Sequence, residues 1–316
     1  MARTPITQFS TGALASLQAT KLGSIAISGA LARAKVSPDA VQEVYFGQVL
    51  QGSAGQAPAR QASLGAGLAK SVICTTVNKV CASGMKAIML GAQSIKCGDN
   101  DVVVAGGMES MSQVPRYLKR TAQGYGNLEL SDGILLDGLT DAYGKFHMGV
   151  CAENTCKNHG ITRQDQDLYA ISSYKRSSAA HESGLLASEI VPVELAAKRP
   201  GDPVKVVSED EEFKKIDFDR VPKLKPAFDR QNGTVTAANA STLNDGAAAT
   251  LIVSARAADR LKLTPLAEIV SYADAACEPI DFPLAPALGI PKVRQGFVFA
   301  LSLTLLPRLL SMSHCL

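Results

Sequence analysis

A cysteine standing where a polar turn enters an apolar helix is placed for nucleophilic chemistry, and Cys81 stands there. Val72 to Val77 reads as a short β-branched strand, Asn78 to Val80 as a tight polar turn, and the residues up to Ile95 as an apolar helix. The first N–H groups of a helix have no intrahelical partners and carry partial positive charge, so they favour a thiolate over a thiol. A small buried hydrophobe is the other ordinary fate of a free cysteine, and spacing alone leaves both readings open. A second group of interest lies between Ser208 and Arg230. There Lys214, Lys215, Arg220, Lys223 and Lys225 are interleaved with Phe213, Phe218 and Phe228. Clustered cations can meet a phosphorylated ligand, although such a run is also the pattern of a solvated face.

The elements that would position these groups are legible in outline. Residues 19–36 place Leu22, Ile25, Ala26, Ala30, Leu31 and Ala34 at helical spacing, and Ser37-Pro38-Asp39 stops that helix and caps a short next one. Residues 44–50 and 101–105 read as strands, and residues 52–67 as a turn leading into a small-residue helix able to pack closely on a sheet or a partner subunit. Alternation of strand and helix predicts a parallel, layered α/β sheet. From Pro115 the chain becomes more polar, so residues 116–233 read as an insertion. Within it Thr162 and Asp165 form a capping pair for a helix over 164–183, with Leu168, Ile171 and Tyr174 along one side. Core composition returns from Thr234. A strand at 251–253, a helix at 257–263 and a new strand at 266–272 follow.

Composition narrows the function class. The 316 residues are enough for two domains, and 46% hydrophobic content with 26 glycines and 5% aromatics fits an α/β enzyme. A net charge of +3 gives no case for nucleic acid. Seven cysteines, at 74, 81, 97, 151, 156, 277 and 315, include no CxxC pair and fit a reducing compartment. The four histidines form no cluster with them at zinc-ligand spacing. Met1 to Ile6 has neither an apolar h-region nor an Arg-rich amphipathic helix, so no targeting peptide is expected. The apolar run 297–306 stops at Pro307, too short to span a bilayer.

Several long words in order carry a resemblance: Asn78-Lys79-Val80-Cys81-Ala82-Ser83-Gly84-Met85-Lys86-Ala87, Ala105-Gly106-Gly107-Met108-Glu109-Ser110-Met111-Ser112, His147-Met148-Gly149, Gly233 to Ser241, and Asn244-Asp245-Gly246-Ala247-Ala248. Together they closely resemble the thiolases, and within them the mitochondrial acetyl-CoA acetyltransferase type. The resemblance covers about residues 2–293 and implies a layered α/β/α fold with an inserted CoA-binding loop domain. It implies that Cys81 takes an acetyl group from acetyl-CoA as a thioester, which a second, deprotonated acetyl-CoA attacks to give acetoacetyl-CoA. A thiolate is both nucleophile and leaving group, so one side chain serves both half-reactions. Met108 and the Gly106-Gly107 turn would line the adjacent pocket. The contacts to CoA would fall on Tyr174, Lys215, Ile216, Asp217, Arg220 and Ser241, with His147 beside the pantetheine thioester. Cations beside aromatics suit the phosphate-bearing adenine nucleotide. A potassium ion would be held by Tyr174 and the carbonyls of Ala237, Ala238 and Ala240, because carbonyl oxygens suit a large, weakly hydrated cation. The resemblance further implies a homo-oligomer, a dimer of dimers, in the mitochondrion; without a targeting peptide a cytosolic form stays open.

Two departures accompany the matches. The family begins with an apolar strand before the Arg3-Thr4-Pro5-Ile6 word, and it continues past Pro291-Lys292-Val293 into a second half of similar fold. The Asn-Glu-Ala-Phe, Gly-His-Pro and Cys-x-Gly-Gly-Gly words of that half do not occur in these 316 residues. The activating histidine and the proton-transferring cysteine would lie on those words. The resulting domain expectation is a thiolase core at 1–115 and 234–263, the loop domain at 116–233, the start of a truncated second domain at 264–293, and an unrelated apolar tail at 294–316. Two functional expectations follow: an acetyl-CoA acetyltransferase of impaired activity, or a non-catalytic CoA-binding or subunit-associating fragment that pairs through residues 52–67 and 72–95.

Overall fold

The computed structural model of the chain describes residues 1–120, 124–197, 199, 201 and 203–303, the last seven as backbone only. Among them the elements run β1 (Ala2–Arg3), β2 (Thr7–Gln8), α1 (Ala19–Ala34), β3 (Glu43–Gly47), α2 (Pro58–Gly65), β4 (Ile73–Val77), α3 (Ser83–Cys97), β5 (Val102–Ser110), β6 (Arg116–Tyr117), β7 (Ser131–Asp132), α4 (Met148–His159), α5 (Arg163–Glu182), β8 (Val193–Leu195), β9 (Lys205–Val207), β10 (Asn244–Val253), α6 (Ala255–Arg260) and α7 (Ala285–Leu303). The central sheet has the order β1-β10-β5-β3-β4, with β2 also on β10. β3 is parallel to both β4 and β5, as the strand–helix alternation predicts. β10, however, runs antiparallel to β5, from Asp245 opposite Ser110 to Val253 opposite Val102. The sheet is therefore mixed. The reason is topological: the chain leaves β5 and re-enters β10 at the same end of the sheet, so the long excursion acts as an elongated hairpin rather than a crossover.

Two helical layers cover the sheet. Period-two alternation sends Val102, Val104 and Met108 of β5, Val44 and Phe46 of β3, and Ala247 and Ala249 of β10 into one cluster with Leu22, Ala26 and Ile27 of α1 and Ala59 and Ala62 of α2. Ala105 and Ile252 face the other way and meet Ala87 of α3. Small residues permit the close approach. A Cβ on Gly47 would lie 2.7 Å from the backbone of Ser83 and Gly84, and one on Gly91 about 3.1 Å from Ile252.

The N-terminal segment is tied to the excursion by charge. Arg3 reaches Glu189 at 2.6 Å and Asp210 at 2.7 Å, and Asp210 also accepts from the Ile6 N–H and His181 Nε2. The Thr162–Asp165 capping box opens α5 as expected. The inward face of α5 is led by Asp167 and Ala170, with Tyr174 half-buried, whereas Leu168 is 57% exposed. Asp167 displaces the leucine because it bonds Arg163 within the helix and Asn239 beyond it. No strand forms at 266–272; that segment is irregular, with Ile269 packed on the α3 side of the sheet. Most of the tail at 294–316 lies outside the described residues. Among the described residues, no helix is long and apolar enough to cross a membrane.

Candidate active site

The turn between β4 and α3 exposes Cys81 by straining the residue before it. Val80 has φ 47°, the left-handed region that a β-branched side chain rarely enters. Hydrogen bonds hold it there. The Val80 N–H donates to Asn78 Oδ1 at 3.0 Å, and the Ser83 N–H and Oγ both donate to the Val80 carbonyl, at 3.0 and 2.6 Å. The Lys79 N–H donates to Ser83 Oγ at 2.8 Å. Ala82 at the N-cap offers no side-chain acceptor, so the positive end of α3 is left open beside the thiol. Behind the turn, Asn78 Nδ2 donates to the Val49 carbonyl, while the Val49 and Leu50 N–H groups donate to the Glu109 carboxylate at 2.9 and 3.2 Å. Burial pushes the Glu109 carboxyl above its ordinary value.

Met108 does not reach this turn. It shares the sheet face of Val102 and Val104, is 4% exposed, and packs its sulfur over Gly23 of α1. Gly107, one residue earlier and on the other face, is the one that meets α3 at Gly84. The expectation that Met108 lines the pocket of Cys81 is corrected by this alternation.

His147 is the N-cap of α4. Its Nδ1 accepts from the Gly149 N–H at 2.9 Å, which leaves the ring proton on Nε2, and the ring stacks on Phe228 with centroids 4.8 Å apart. Burial lowers its pKa, so the imidazole is neutral near pH 7. Gly149 is required, since a Cβ there would sit 2.3 Å from the Phe228 ring.

The third feature is a cavity of about 270 Å³. Tyr174, Lys215, Ile216, Asp217, Arg220, Ala237 and Ala238 line it, joined by Glu212, Val221 and Leu224. Seven residues singled out in the sequence are thus brought together, although they come from α5, the 212–224 turns and the loop 234–241. Ser241 is exposed, and neither it nor Ala240, His147, Met108 or Cys81 lines the cavity. Three residues not singled out hold the walls in place. Arg163 donates to the carbonyls of Val221 and Leu224, both at 2.9 Å, and to Asp167 at 2.7 Å; Asp167 in turn accepts from Asn239. An Arg–Asp pair at i, i+4 was the visible signal. Glu212, a fourth, accepts from the Tyr174 hydroxyl at 3.3 Å, and burial together with that carboxylate raises the tyrosine pKa.

Tyr174, Ala237 and Ala238 bring oxygens to this end of the cavity, and Ala240 follows just outside it. Tyr174 stays protonated, and among the described residues the carbonyls of Ala237, Ala238 and Ala240 accept no hydrogen bond. No cluster of three or more His, Cys, Asp or Glu able to hold a metal ion occurs among them.

Residues 1–256 match the family described as Thiolase, N-terminal domain. The chain belongs to the thiolase family. The mitochondrial acetyl-CoA acetyltransferase of Danio rerio is 61% identical over 294 residues, covering 93% of this thiolase and 69% of the relative. The mitochondrial acetyl-CoA acetyltransferase of Homo sapiens is 61% identical over 291 residues, covering 92% and 67%. Among solved structures, the Acat5 thiolase of Ascaris suum in complex with coenzyme A superposes with a TM-score of 0.86 at 43% identity, over 92% of this chain and 74% of that one. The layered α/β/α architecture of the thiolases is therefore present, over part of the fold.

Proposed function

We propose that this chain carries the acyl-accepting and CoA-binding half of an acetyl-CoA acetyltransferase site. The observation that carries the reading is the strained turn that exposes Cys81 at the open N-terminus of α3. Cys81 Sγ attacks the acetyl-CoA carbonyl, the oxyanion draws on N–H groups of the turn and helix, and CoA leaves as its thiolate and takes a proton. In the second half-reaction a methyl proton of another acetyl-CoA passes to a base, which for these 316 residues has to be water or buffer. The carbanion attacks acetyl-Cys81, the new C–C bond forms, the Cys81 S–C bond breaks, and acetoacetyl-CoA is released.

Lys215 and Arg220 would meet phosphate oxygens and Asp217 a hydroxyl or amine of the nucleotide, with Ile216 and Leu224 as the apolar wall. His147, neutral with its proton on Nε2, would donate toward the pantetheine thioester, and Ser241 would contact the pantetheine arm. Tyr174 and the carbonyls of Ala237, Ala238 and Ala240 would hold a potassium ion, which rigidifies the cavity wall when bound. The edge strand β4, with Ile73 65% exposed, supports association with a second thiolase chain through residues 52–67 and 72–95. The names of the relatives support a mitochondrial setting.

Among the 316 residues no word brings the second-half histidine and cysteine to Cys81. Losing a general base alone costs about 10²–10⁴-fold, so thiolysis of acetoacetyl-CoA by this chain is expected to be slower than by a full-length relative by at least about that factor. The test is a thiolysis assay beside a CoA titration. Measurable CoA binding, weakened about tenfold or more in Lys215→Ala/Arg220→Ala, with slow turnover supports the reading. Turnover at the rate of a full-length relative contradicts the impairment, and CoA binding indifferent to the double variant contradicts the cavity assignment.

A further inference from the structure

One carboxylate outside the matched turn pairs with two lysines that flank Cys81 in sequence. Asp274 Oδ1 pairs with Lys79 Nζ, and its Oδ2 pairs with Lys86 Nζ at 2.6 Å. Lys79 lies two residues before Cys81, and Lys86 lies in the first turns of α3. The pairing draws the Asp274 carboxyl below the ordinary carboxylate range. Asp274 is not a free surface side chain that happens to touch a lysine. It is delivered by the irregular segment 266–278, which is anchored on both sides. Upstream, Ile269 packs on the α3 side of the sheet and the Tyr272 ring lies 4.9 Å from Lys96 Nζ. At Asp274 itself the carbonyl accepts from Lys292 Nζ at 3.1 Å, and downstream Asp281 accepts from Asn154 of α4 at 2.9 Å.

We propose that Asp274 is a positioning residue for Cys81, governing its reactivity by neutralising the Lys79 and Lys86 ammonium groups; this rests on Cys81 being the acyl acceptor. The charged groups around the turn and the strap are Lys79, Lys86, Lys292 and the open N-terminus of α3 on the positive side. Asp274 on the strap and Glu109 behind the loop 48–50 stand on the negative side. Without Asp274 the positive groups act on the thiolate uncompensated. A thiolate held too strongly is a weaker nucleophile, so a neutralising carboxylate keeps acyl transfer in both directions accessible. The three side chains are 25–43% exposed, so their pairing contributes little to stability and Asp274→Asn keeps the fold.

The experiment is alkylation of the 316-residue chain by iodoacetamide at low ionic strength, with Cys81 followed by peptide mass spectrometry. At about pH 7.5, Asp274→Asn is expected to react about two- to threefold faster than the wild type, and Lys86→Met slower by a similar factor. At about pH 10.5, where thiols are ionised in any case, the variants converge; in roughly 1 M salt the differences vanish. Equal or slower alkylation of Asp274→Asn at the lower pH overturns the proposal. So does a gain that survives high pH or high salt, since that would mean the substitution merely uncovers the thiol. Alkylation reads the thiol and not acyl transfer, so failure of acetyl-CoA to label Cys81 would count against the acyl-acceptor reading separately.

Discussion

Holding a β-branched residue in the left-handed region costs on the order of 1–3 kcal/mol, and Val80 is kept there by Asn78 and Ser83 on either side of Cys81. The exposed position of Cys81 was legible because its signal is local: strand, turn and helix are adjacent in sequence. Met108 was misread because the sheet face of a residue is fixed by register, which a motif does not display. Asp274 and Glu212 were not singled out because their partners lie far along the chain. His147 shows how a local cap can carry a pH dependence. Its folded pKa lies below the ordinary 6.5, so the folded state prefers the neutral ring and the unfolded chain takes the proton first as pH falls. Stability is therefore expected to drop as pH goes from about 6.5 downward through the folded value. Protonation of Nδ1 would also end its acceptance of the Gly149 N–H. In His147→Asn, which keeps a capping acceptor without a titrating group, this acid loss should be smaller. Thermal midpoints of both proteins between about pH 7.5 and 5.5 check it; parallel curves would be evidence against a neutral capping His147.

At the scale of elements, α5 is the clearest case of local sequence setting a cavity wall. Thr162 caps it, Arg163 and Asp167 tie it to the 221–224 turn and to Asn239, and Tyr174 then faces the cavity. Thr162→Ala should lower stability by about 1 kcal/mol in urea unfolding. The substitution leaves the Arg163 contacts intact, so CoA binding should weaken only slightly; an unchanged unfolding midpoint would mean the cap contributes nothing. The capping box could be read in advance because its partners are three residues apart. The segment 266–272 could not. Its Leu266, Ile269, Val270 and Tyr272 satisfy strand propensity, but a strand needs a neighbour to pair with, and here Tyr272 lies against Lys96 of α3 instead. β10 shows the converse: it begins at Asn244, well before the apolar run, because β5 offers nine residues of partner.

For the molecule as a whole, the two parts of the proposed chemistry come from elements remote in sequence. Cys81 comes from the β4–α3 turn and the cavity from α5 and the 212–240 loops. The layered α/β class followed from alternation and composition, whereas the antiparallel placement of β10 depended on where the excursion returns to the sheet. Whether these parts serve one acyl transfer is the central claim, and acetyl mapping reads it most directly. The purified chain is incubated with acetyl-CoA, digested, and searched by peptide mass spectrometry for an added acetyl group, with Cys81→Ala as control. The account predicts a thioester-bound acetyl group on Cys81, released by hydroxylamine and absent from the variant. An unlabelled Cys81 under conditions where CoA binds, or labelling that persists in Cys81→Ala, would contradict it.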